Sequence, residues 1–485
     1  MQVVETIING QVQSLDIPDP TRTVLQFLRE DLGKTGSKEG CAEGDCGACT
    51  IVIAELIDSN LQFRAVNACI QFLPTLQGKA IFTVESLRLP DGELHPVQKA
   101  LVDCHASQCG FCTPGFAMSM FVLYQDLAGT GNRPSRVMID DCLSGNLCRC
   151  TGYKPIIEAC DRMFDYEEPV DREVWQDSLK EKLNSIQQPD NDSGHRTFIS
   201  PDSISDLSAE ILSNPQACLL AGGTDVGLWV TKQHRQLDHL IYLGQVEALK
   251  QIEETSKGFE IGAAVTLEDA FEVLRKPFPE FDELFRRFAS LPIRNAGTLV
   301  GNIANGSPIG DSMPALICLD ARVKLRKGDE IRELALEDFY LDYQKKDLKP
   351  GEWIQSVIIP SRDQSCLIRS YKVCKRFDQD ISAVCSAFVL RLDGSRVESI
   401  KIAYGGMAAI PKRAQTVEAQ LVGSEWNSDQ VNLGMKAFTS DFQPLTDMRA
   451  SQSYRSRVAA NLLMRFYLDT IDADNNELQV FGDLA

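Results

Sequence analysis

The sequence predicts a multidomain α+β protein, and three observations support this prediction. Its 485 residues exceed the size of one ordinary domain, so about three or four domains are expected. Apolar residues make up 44% of the chain and charged residues 24%, a composition typical of globular proteins with sizeable cores. The local pattern also changes along the chain, from β-rich to helical and then to mixed α/β.

The first unit, residues 1–85, is predicted to be rich in β-strands. An Asn9-Gly10 pair between apolar residues is typical of a hairpin with a tight turn. Asp19-Pro20 is a predicted helix N-terminus, because apolar residues recur at helical spacing over 24–32. A glycine-containing loop over 40–49 then precedes a predicted strand over 50–54.

The pattern is helical over residues 86–166 and changes again after them. Predicted helices begin at Pro96, at Pro114 after a Thr113 N-cap, at Ser135 and at Pro155. Residues 167–195 are charged and polar, which predicts an interdomain linker with one exposed helix. Mixed α/β structure is expected over 196–375, followed by a last unit over 376–485 with strands and then helices.

Charge and cysteine content narrow the class of function. The chain has 49 basic and 68 acidic residues, for a net charge of −19, which argues against a nucleic-acid partner. The amino terminus lacks the features of a secretory signal, and no apolar run reaches the roughly 18 residues that suggest a membrane span. We therefore expect a cytoplasmic protein whose 16 cysteines are reduced thiols, many of them metal ligands.

The first cysteine set has the spacing Cys41-x4-Cys46-x2-Cys49, with Cys69 following later. This spacing is typical of plant-type ferredoxins, which hold a [2Fe–2S] cluster with four thiolates. The glycines between the cysteines give the loop unusual backbone dihedrals and bring N–H groups close to sulfur. A zinc site is disfavoured, because structural zinc usually uses two CxxC-like pairs.

The second set is Cys109-x2-Cys112 with Cys148-x-Cys150. Considered alone, this spacing would also fit a zinc ribbon. Beside the first set it indicates a second cluster, and two clusters in one chain predict a path for electrons. Cys142 and Cys160 both lie on predicted helices. A free cysteine on a helix is usually a small buried apolar residue rather than a metal ligand.

Two glycine-containing loops form a candidate flavin site. The first, over 219–226, contains Gly222-Gly223, and the second runs from 295 to 303 and on to Asp311. Backbone N–H groups without side chains can approach a pyrophosphate closely. The first loop alone would fit a plain turn between a strand and a helix equally well. There is no GxGxxG after a first strand, so a Rossmann domain is not indicated.

Five motifs occur in one order along the chain: 39–49 around the first cysteines, 108–115 and 145–153 around the second set, and 221–225 and 301–303 in the glycine loops. With these motifs the sequence resembles the molybdenum-hydroxylase family. Within that family it is similar to the small subunits of bacterial xanthine dehydrogenases. The resemblance covers essentially the whole chain.

The resemblance implies four domains. They are a β-grasp [2Fe–2S] ferredoxin domain (1–85), a four-helix [2Fe–2S] domain (86–166), a two-part α/β FAD domain of the non-Rossmann PCMH type (196–375) and a C-terminal α/β extension (376–485). The implied cluster ligands are Cys41, Cys46, Cys49, Cys69, Cys109, Cys112, Cys148 and Cys150.

The resemblance also implies cofactor contacts. The implied FAD contacts are Leu219, Leu220, Ala221, Gly222, Gly223, Thr224, Asp225, Val226, Phe288, Thr298, Gly301, Asn302, Asp311, Ile354 and Lys372. Gln108 and Cys150 match positions that touch the pterin of a molybdenum cofactor held by a partner. No residue of this chain is expected to catalyse purine hydroxylation.

The implied function is electron transfer within a larger enzyme. Single-chain relatives continue into molybdenum-binding domains, whereas this sequence ends at Ala485. A large molybdopterin-binding subunit is therefore expected, in a heterodimer or heterotetramer. Electrons from hypoxanthine or xanthine would pass through the second cluster, the first cluster and FAD to NAD⁺.

The alternatives are an iron–sulfur/flavin subunit of an aldehyde or other N-heterocycle oxidoreductase, and a non-enzymatic redox sensor. The sensor is disfavoured because the sequence shows no DNA-binding or effector module.

Overall fold

The computed structural model describes residues 2–89, 92–167, 172–186, 198–377 and 379–471. The chain forms two compact units. Unit 1 comprises Met1–Asp202, Gln216–Gln245 and Ser290–Gly297, and unit 2 comprises Ser203–Pro215, Val246–Ala289 and Thr298–Ala485. Among the described residues, no helix is both long enough and apolar enough to cross a membrane.

Strands and helices alternate along most of the chain. In chain order the strands are β1 (Gln2–Ile8), β2 (Gln11–Ile17), β3 (Thr50–Ile57), β4 (Asn60–Asn67), β5 (Ala80–Phe82), β6 (Phe198–Ile199), β7 (Cys218–Leu220), β8 (Leu240–Tyr242), β9 (Ile252–Thr255), β10 (Gly258–Gly262), β11 (Arg322–Lys327), β12 (Glu330–Ala335), β13 (Tyr340–Asp342), β14 (Lys345–Lys346), β15 (Trp353–Pro360), β16 (Cys366–Val373), β17 (Val384–Asp393), β18 (Arg396–Gly405) and β19 (Lys412–Arg413). The α-helices are α1 (Val24–Gln26), α2 (Pro96–Asp103), α3 (Thr113–Leu127), α4 (Arg136–Leu143), α5 (Tyr153–Arg162), α6 (Arg172–Ser185), α7 (Ile204–Ser213), α8 (Val226–Thr231), α9 (Leu267–Arg275), α10 (Asp282–Arg286), α11 (Leu291–Arg294), α12 (Leu299–Asn305), α13 (Ser312–Cys318), α14 (Leu336–Phe339), α15 (Gln415–Leu421), α16 (Ser428–Asp441) and α17 (Gln452–Ile471).

Unit 1 begins with a five-stranded sheet in the order β2-β1-β5-β3-β4. The predicted hairpin is confirmed: β1 and β2 pair antiparallel around Asn9 and Gly10. Both residues have positive φ, 51° and 83°, as a tight two-residue turn requires. The predicted N-cap at Asp19 is wrong. Thr23 instead caps α1, in a capping box with Gln26. The Asp19 carboxylate is occupied in a local turn, where it accepts a hydrogen bond from the Thr21 N–H at 2.8 Å.

Strand β3 separates two hydrophobic cores. Val52 and Ala54 pack into the core shared with helix α3, whereas Ile51 and Ile53 pack into the core beneath α1. Successive side chains of a strand point to opposite faces of the sheet, so both faces of β3 are covered. The loop that precedes β3 is thereby attached to a strand that is covered on both faces.

Four helices, α2 to α5, follow the sheet, as the sequence predicted. Ser135 caps α4 and accepts from the Met138 N–H at 3.2 Å. The predicted Thr113 cap is wrong: α3 begins at Thr113, and its N-cap is Cys112, whose side chain makes no capping hydrogen bond. Helix α5 begins at Tyr153 rather than at Pro155. Both differences lie beside candidate ligands, where the cysteine loops set the helix ends.

Helix α6 lies in the predicted linker, but it is not simply exposed. Leu179 and Leu183 are buried, and the Trp175 ring stacks on Phe63 with centroids 5.7 Å apart and an interplanar angle of 14°. The linker was predicted from charge, yet three apolar side chains dock this helix on the cluster domains. Residues 168–171 and 187–197 lie outside the described residues.

The rest of unit 1 contains a short parallel sheet in the order β6-β8-β7. Its core joins Phe198, Leu220 and Tyr242 to Phe72, which follows the first cysteine set. Unit 2 contains a five-stranded sheet, β12-β11-β15-β10-β9, and a four-stranded sheet, β16-β17-β18-β19. The second sheet shares a core with α15, α16 and α17, where Phe388 stacks on Phe466 at 4.8 Å. The mixed α/β multidomain fold is as predicted.

Replacing Trp175 tests how α6 is held. Trp175→Ala removes the stack on Phe63, and we expect the free energy of locally opening α6 to fall by about 2 kcal/mol. Hydrogen exchange of the α6 amides measures this quantity. Val174→Ala is the control, since Val174 is 65% exposed and should change it by less than about 0.5 kcal/mol. Equal protection in the two variants would contradict this packing.

Candidate cluster and flavin sites

The first cysteine loop is folded by residues with left-handed backbone. Ala42, Gly44 and Gly47 have φ of 54°, 83° and 68°, a region that favours glycine. The loop places the Cys41 thiol against those of Cys46 and Cys69, whose hydrogen bonds lower the pKa of Cys41. The Cys69 thiol is hydrogen-bonded to Cys41 and also to Cys49, which raises its pKa. All four predicted ligands of the first set therefore converge.

Backbone N–H groups point at sulfur in this loop. The N–H groups of Asp45 and Cys46 lie 3.3 and 3.4 Å from Cys41 Sγ. Such donors stabilise thiolate charge and help to set the potential of a cluster. The backbone at Gly40 also approaches sulfur closely, because a Cβ there would lie 2.8 Å from Cys46 Sγ. The loop fits an anionic sulfur-ligated group.

The second set is assembled from two segments that flank helices. Cys109 and Cys112 precede α3, and Cys148 and Cys150 lie between α4 and α5. The thiols form two pairs: Cys150 hydrogen-bonds to Cys109, which also receives the Phe111 N–H, and Cys112 contacts Cys148. Burial, together with the Cys148 thiol, raises the pKa of Cys112 to about 12. The Gly152 N–H lies 3.4 Å from Cys148 Sγ.

The paired arrangement favours two-iron clusters over single metal ions. A zinc ribbon would need four thiolates around one centre. A [2Fe–2S] cluster is held by four thiolates that are shared between two irons, so pairs of thiols fit it better. Cys142 and Cys160 are buried on helices α4 and α5, as predicted for structural cysteines.

A backbone hydrogen bond joins the two cysteine sets. The N–H of Leu147 donates to the carbonyl oxygen of Cys46 at 3.0 Å. Leu147 directly precedes Cys148 in the chain, so a predicted ligand of each set lies at either end of this hydrogen bond. The sequence motif contained Leu147, but nothing in the motif showed its partner.

Asn146 supports that link with three further hydrogen bonds. Its amide nitrogen donates to the Gly47 carbonyl oxygen at 3.1 Å and to Thr50 Oγ1 at 3.2 Å. Its carbonyl oxygen accepts from Ser119 Oγ at 2.6 Å. Asn146 is only 4% exposed. Sequence reasoning missed this residue as a functional candidate, although it lies within the motif around the second set.

The first glycine loop packs beside the first cysteine set. A Cβ at Gly227 would lie 2.7 Å from the Ile70 carbonyl oxygen, and Ile70 follows Cys69. Thr231 Oγ1 donates to the Ala42 carbonyl oxygen at 2.8 Å, and Ala42 follows Cys41. Helix α8 and its glycine loop therefore touch the chain next to two candidate cluster ligands.

The two glycine loops also meet within unit 1. A Cβ at Gly222 would lie 1.8 Å from the Ala296 carbonyl oxygen, so only glycine allows this approach. Gly222 thus brings the backbone of residues 219–226 against that of residues 293–297. The two glycine-containing segments that the sequence predicts for FAD therefore lie together.

The predicted flavin residues of unit 2 include a buried ion pair. Lys372 Nζ lies 2.5 Å from Asp311 Oδ2 and 2.9 Å from both Ser382 Oγ and the Asp380 carbonyl oxygen. The other carboxylate oxygen of Asp311 is buried and has no hydrogen-bond partner among the described residues. Two predicted residues that are distant in sequence, Asp311 and Lys372, therefore meet in a buried ion pair.

The remaining predicted residues of unit 2 have local roles as well. Asn302 Oδ1 accepts from Ser312 Oγ at 2.6 Å, and Thr298 caps α12 by accepting from the Gly301 N–H at 3.0 Å. Phe288 packs on the Phe271 ring at 5.5 Å. Ile354 is 5% exposed on β15. Sequence reasoning missed Ser312 and Ser382, since neither belongs to a recognisable motif.

The chain matches four known domain families. Residues 6–73 match the 2Fe-2S iron-sulfur cluster binding domain, and residues 83–161 match a second [2Fe-2S] binding domain. Residues 192–362 match the FAD binding domain in molybdopterin dehydrogenase. Residues 369–470 match the CO dehydrogenase flavoprotein C-terminal domain. The predicted fold class, with two [2Fe–2S] domains, an FAD-binding domain and a C-terminal domain, is confirmed.

Among its relatives is xanthine dehydrogenase 1 of Arabidopsis thaliana, which is 30% identical over 95% of this chain. The chain spans 39% of that relative's length. Carbon monoxide dehydrogenase from Oligotropha carboxidovorans is 26% identical, with a TM-score of 0.52 over 56% of this chain and 96% of that one. Quinoline 2-oxidoreductase from Pseudomonas putida is 21% identical, with a TM-score of 0.53 over 58% and 99% of the two chains, and shows the fold alone.

Gly222→Ala tests the glycine loop as the flavin site. The added Cβ collides with the Ala296 carbonyl oxygen, so we expect at least about tenfold weaker FAD binding with both clusters retained. Flavin released on denaturation and iron per chain are the two measurements. Gly434→Ala is the control, because its Cβ would meet only side chains at 3.3 Å or more. Full flavin content in the Gly222 variant would exclude this site.

Asn146→Asp tests the support between the two cysteine sets. The change keeps the shape but removes both N–H donors, and we expect the free energy of unfolding to fall by about 2 kcal/mol. The magnetic interaction between the two reduced clusters, measured by electron paramagnetic resonance, should also change. Asn60→Asp is the control at an exposed amide, for which we expect less than about 0.5 kcal/mol. An unchanged stability and spectrum for the Asn146 variant would refute the role of this amide.

Proposed function

The chain belongs to the molybdenum-hydroxylase family, and we propose that it is the electron-transfer subunit of a xanthine dehydrogenase. It contains two [2Fe–2S] domains and an FAD-binding domain. In this proposal a large partner subunit holds the molybdopterin at which hypoxanthine and xanthine are oxidised to urate. When bound, the clusters carry single electrons and the flavin combines them into a two-electron reduction of NAD⁺. Relatives named xanthine dehydrogenases support the proposal.

The observation that carries the proposal is the unbroken series of contacts in unit 1. Cys109 is exposed, whereas Cys49 and Cys69 of the first set are 2% and 3% exposed. The Leu147–Cys46 hydrogen bond joins the sets, and the glycine loop contacts Ile70 beside the first set. This order supports entry of electrons at the second set and exit towards the flavin loop.

The exposed side of the second set is the proposed docking face for the partner. Gln108 Nε2 donates to the Cys150 carbonyl oxygen at 3.4 Å, which fixes the side chain proposed to touch the pterin. Phe111 and Leu147 are each 45% exposed beside the cysteines. Large apolar side chains at such positions favour contact with another protein. We propose a heterodimer or heterotetramer in the cytoplasm, where the thiols stay reduced.

A subunit of an aldehyde or other N-heterocycle oxidoreductase is the second candidate. The match to a CO dehydrogenase flavoprotein domain and the similarity to a solved carbon monoxide dehydrogenase favour it. The electron path through this chain is the same in both proposals, because the partner subunit selects the substrate. A substrate panel therefore separates them, while variants of this chain test the path.

The substrate panel uses the complex co-expressed with its large subunit. Hypoxanthine, xanthine, an aldehyde and quinoline are each tested with NAD⁺ and with oxygen as the acceptor. We expect both purines to be oxidised with NAD⁺, and with a kcat/KM at least about 100-fold above that for the aldehyde and quinoline. Preference for the aldehyde or quinoline would favour the second candidate. Oxygen as the sole effective acceptor would contradict the role of NAD⁺.

Cys148→Ser tests the order of the path. Loss of one proposed ligand of the second cluster should abolish flavin reduction by xanthine, because electrons then cannot reach the first cluster. Flavin reduction by NADH should remain, since it does not use the second cluster. Stopped-flow absorbance measures both rates. Cys142→Ser is the control at a buried cysteine outside the proposed ligand set. Loss of both reactions in the Cys148 variant alone would contradict the order.

A further inference from the structure

A short arm of the chain, Ser290–Gly297, contacts all three candidate cofactor loops of unit 1. The arm belongs to this unit, although the chain on either side of it belongs to unit 2. Helix α11 forms its middle part. Its contacts follow one another along the arm, and the cysteine and glycine motifs do not account for them. The arm is therefore a further element of the cofactor sites.

The start of the arm rests on the segment between α4 and α5, which carries two cysteines of the second set. A Cβ at Gly145 would lie 2.8 Å from Ser290 Cβ and 2.9 Å from Pro292 Cδ. The arm therefore touches the backbone of this segment. The N–H of Leu291 also donates to Ser144 Oγ at 3.3 Å, which fixes this end of the arm to the same segment.

The middle of the arm covers the first cysteine loop. A Cβ at Gly44 would lie 2.8 Å from Ile293 Cδ1 and 2.7 Å from Ile70 Cδ1, and Gly44 is buried. The two N–H groups that point at Cys41 Sγ belong to the two residues that follow Gly44. Ile293 therefore places an apolar side chain on this loop where its backbone approaches sulfur.

The end of the arm reaches the first glycine loop. A Cβ at Gly222 would lie 1.8 Å from the Ala296 carbonyl oxygen, so the two backbones touch. Asn295 Nδ2 donates to the Ala65 carbonyl oxygen at 3.0 Å and fixes this end of the arm to β4. One segment thus contacts the second set, the first set and the candidate flavin loop.

Backbone hydrogen bonds make the arm stiff. The N–H of Arg294 donates to the Ser290 carbonyl oxygen at 2.9 Å, and the N–H of Gly297 donates to that of Ile293 at 2.7 Å. The Pro292 ring also restricts the backbone near the start of the arm. A stiff segment that contacts three loops transmits a displacement at one of them to the others.

The Ile293 side chain also limits the access of water to the first cysteine loop. A cluster held by four thiolates becomes more negative when it is reduced, and water stabilises the more charged form. Apolar side chains around a metal site control its solvent access and thereby its potential. The contact of Ile293 with Gly44 should therefore keep the potential of the first cluster low.

We propose that the arm positions the three cofactor loops relative to one another, and that Ile293 is its positioning residue for the first cluster. The Ile293 side chain excludes water from the loop at Gly44 and so lowers the potential of that cluster. This inference rests on the proposed electron-transfer function, but not on the proposed substrate or acceptor.

Ile293→Ala removes the apolar contact on Gly44. We expect the equilibrium constant for reduction of the first cluster to rise at least about threefold, which is about 28 mV for one electron, because water then reaches the loop. A redox titration of the cofactor-loaded complex, followed by electron paramagnetic resonance, measures the two clusters separately. The potential of the second cluster should stay unchanged.

Two further variants separate positioning from stability. Ile293→Leu keeps the apolar volume and should retain the potential of the natural protein. Ile57→Ala is the control at an isoleucine that is 41% exposed, and it should shift neither cluster. A lower unfolding temperature of the Ile293→Ala variant without a shift in potential would overturn this inference alone. A natural protein without clusters would refute the proposed function as well.

Pro292→Ala tests the arm at its other end. The change removes the ring that contacts Gly145 and frees the backbone there. We expect a weaker magnetic interaction between the two reduced clusters, with the iron content of the complex unchanged. Pro350→Ala, at an exposed position, is the control and should leave the interaction as it is. The same interaction in the Pro292 variant would overturn the role of the arm as a common support.

Discussion

The hydrogen bond from the Leu147 N–H to the Cys46 carbonyl oxygen is the contact on which the relay depends. Both cysteine sets lie in loops without regular structure, and such loops cannot fix their distance alone. Asn146 supplies the missing support, because its buried amide has partners on both sides. Leaving any of these groups unpaired would cost free energy, so the position of one cysteine loop fixes the position of the other. Strand β3, which is covered on both faces, anchors the loop of the first set.

Backbone-to-backbone contact is the second constraint on this path. A Cβ at Gly115 would lie 2.1 Å from the Gly47 carbonyl oxygen, and one at Gly47 would lie 2.1 Å from that of Gly145. Gly222 and Gly227 make similar approaches at the flavin loop. Glycine is needed at these positions because any side chain would separate the segments. The distances between cofactor loops are therefore set by the absence of side chains.

Buried polar groups act differently in the two units. In unit 2, Lys372 has three acceptors around its ammonium group, so its charge is paired and hydrogen-bonded, as a buried charge must be. Asp311 keeps one oxygen without a partner among the described residues. In unit 1 the buried Asn146 amide is uncharged, and both its oxygen and its nitrogen are hydrogen-bonded.

The sequence by itself determined the features that depend on neighbouring residues. These are the cysteine spacings, the Asn9-Gly10 turn and the glycine loops, where local backbone geometry and ligand chemistry require particular residue types. Only the tertiary structure decided which distant groups meet: Asn146 with Gly47, Lys372 with Asp311, and α6 with the cluster domains. Sequence pattern and charge predicted that α6 would be an exposed linker helix. Instead, α6 packs on apolar side chains that are distant from it in the chain, and the spacing of residues within the linker does not predict such a long-range contact.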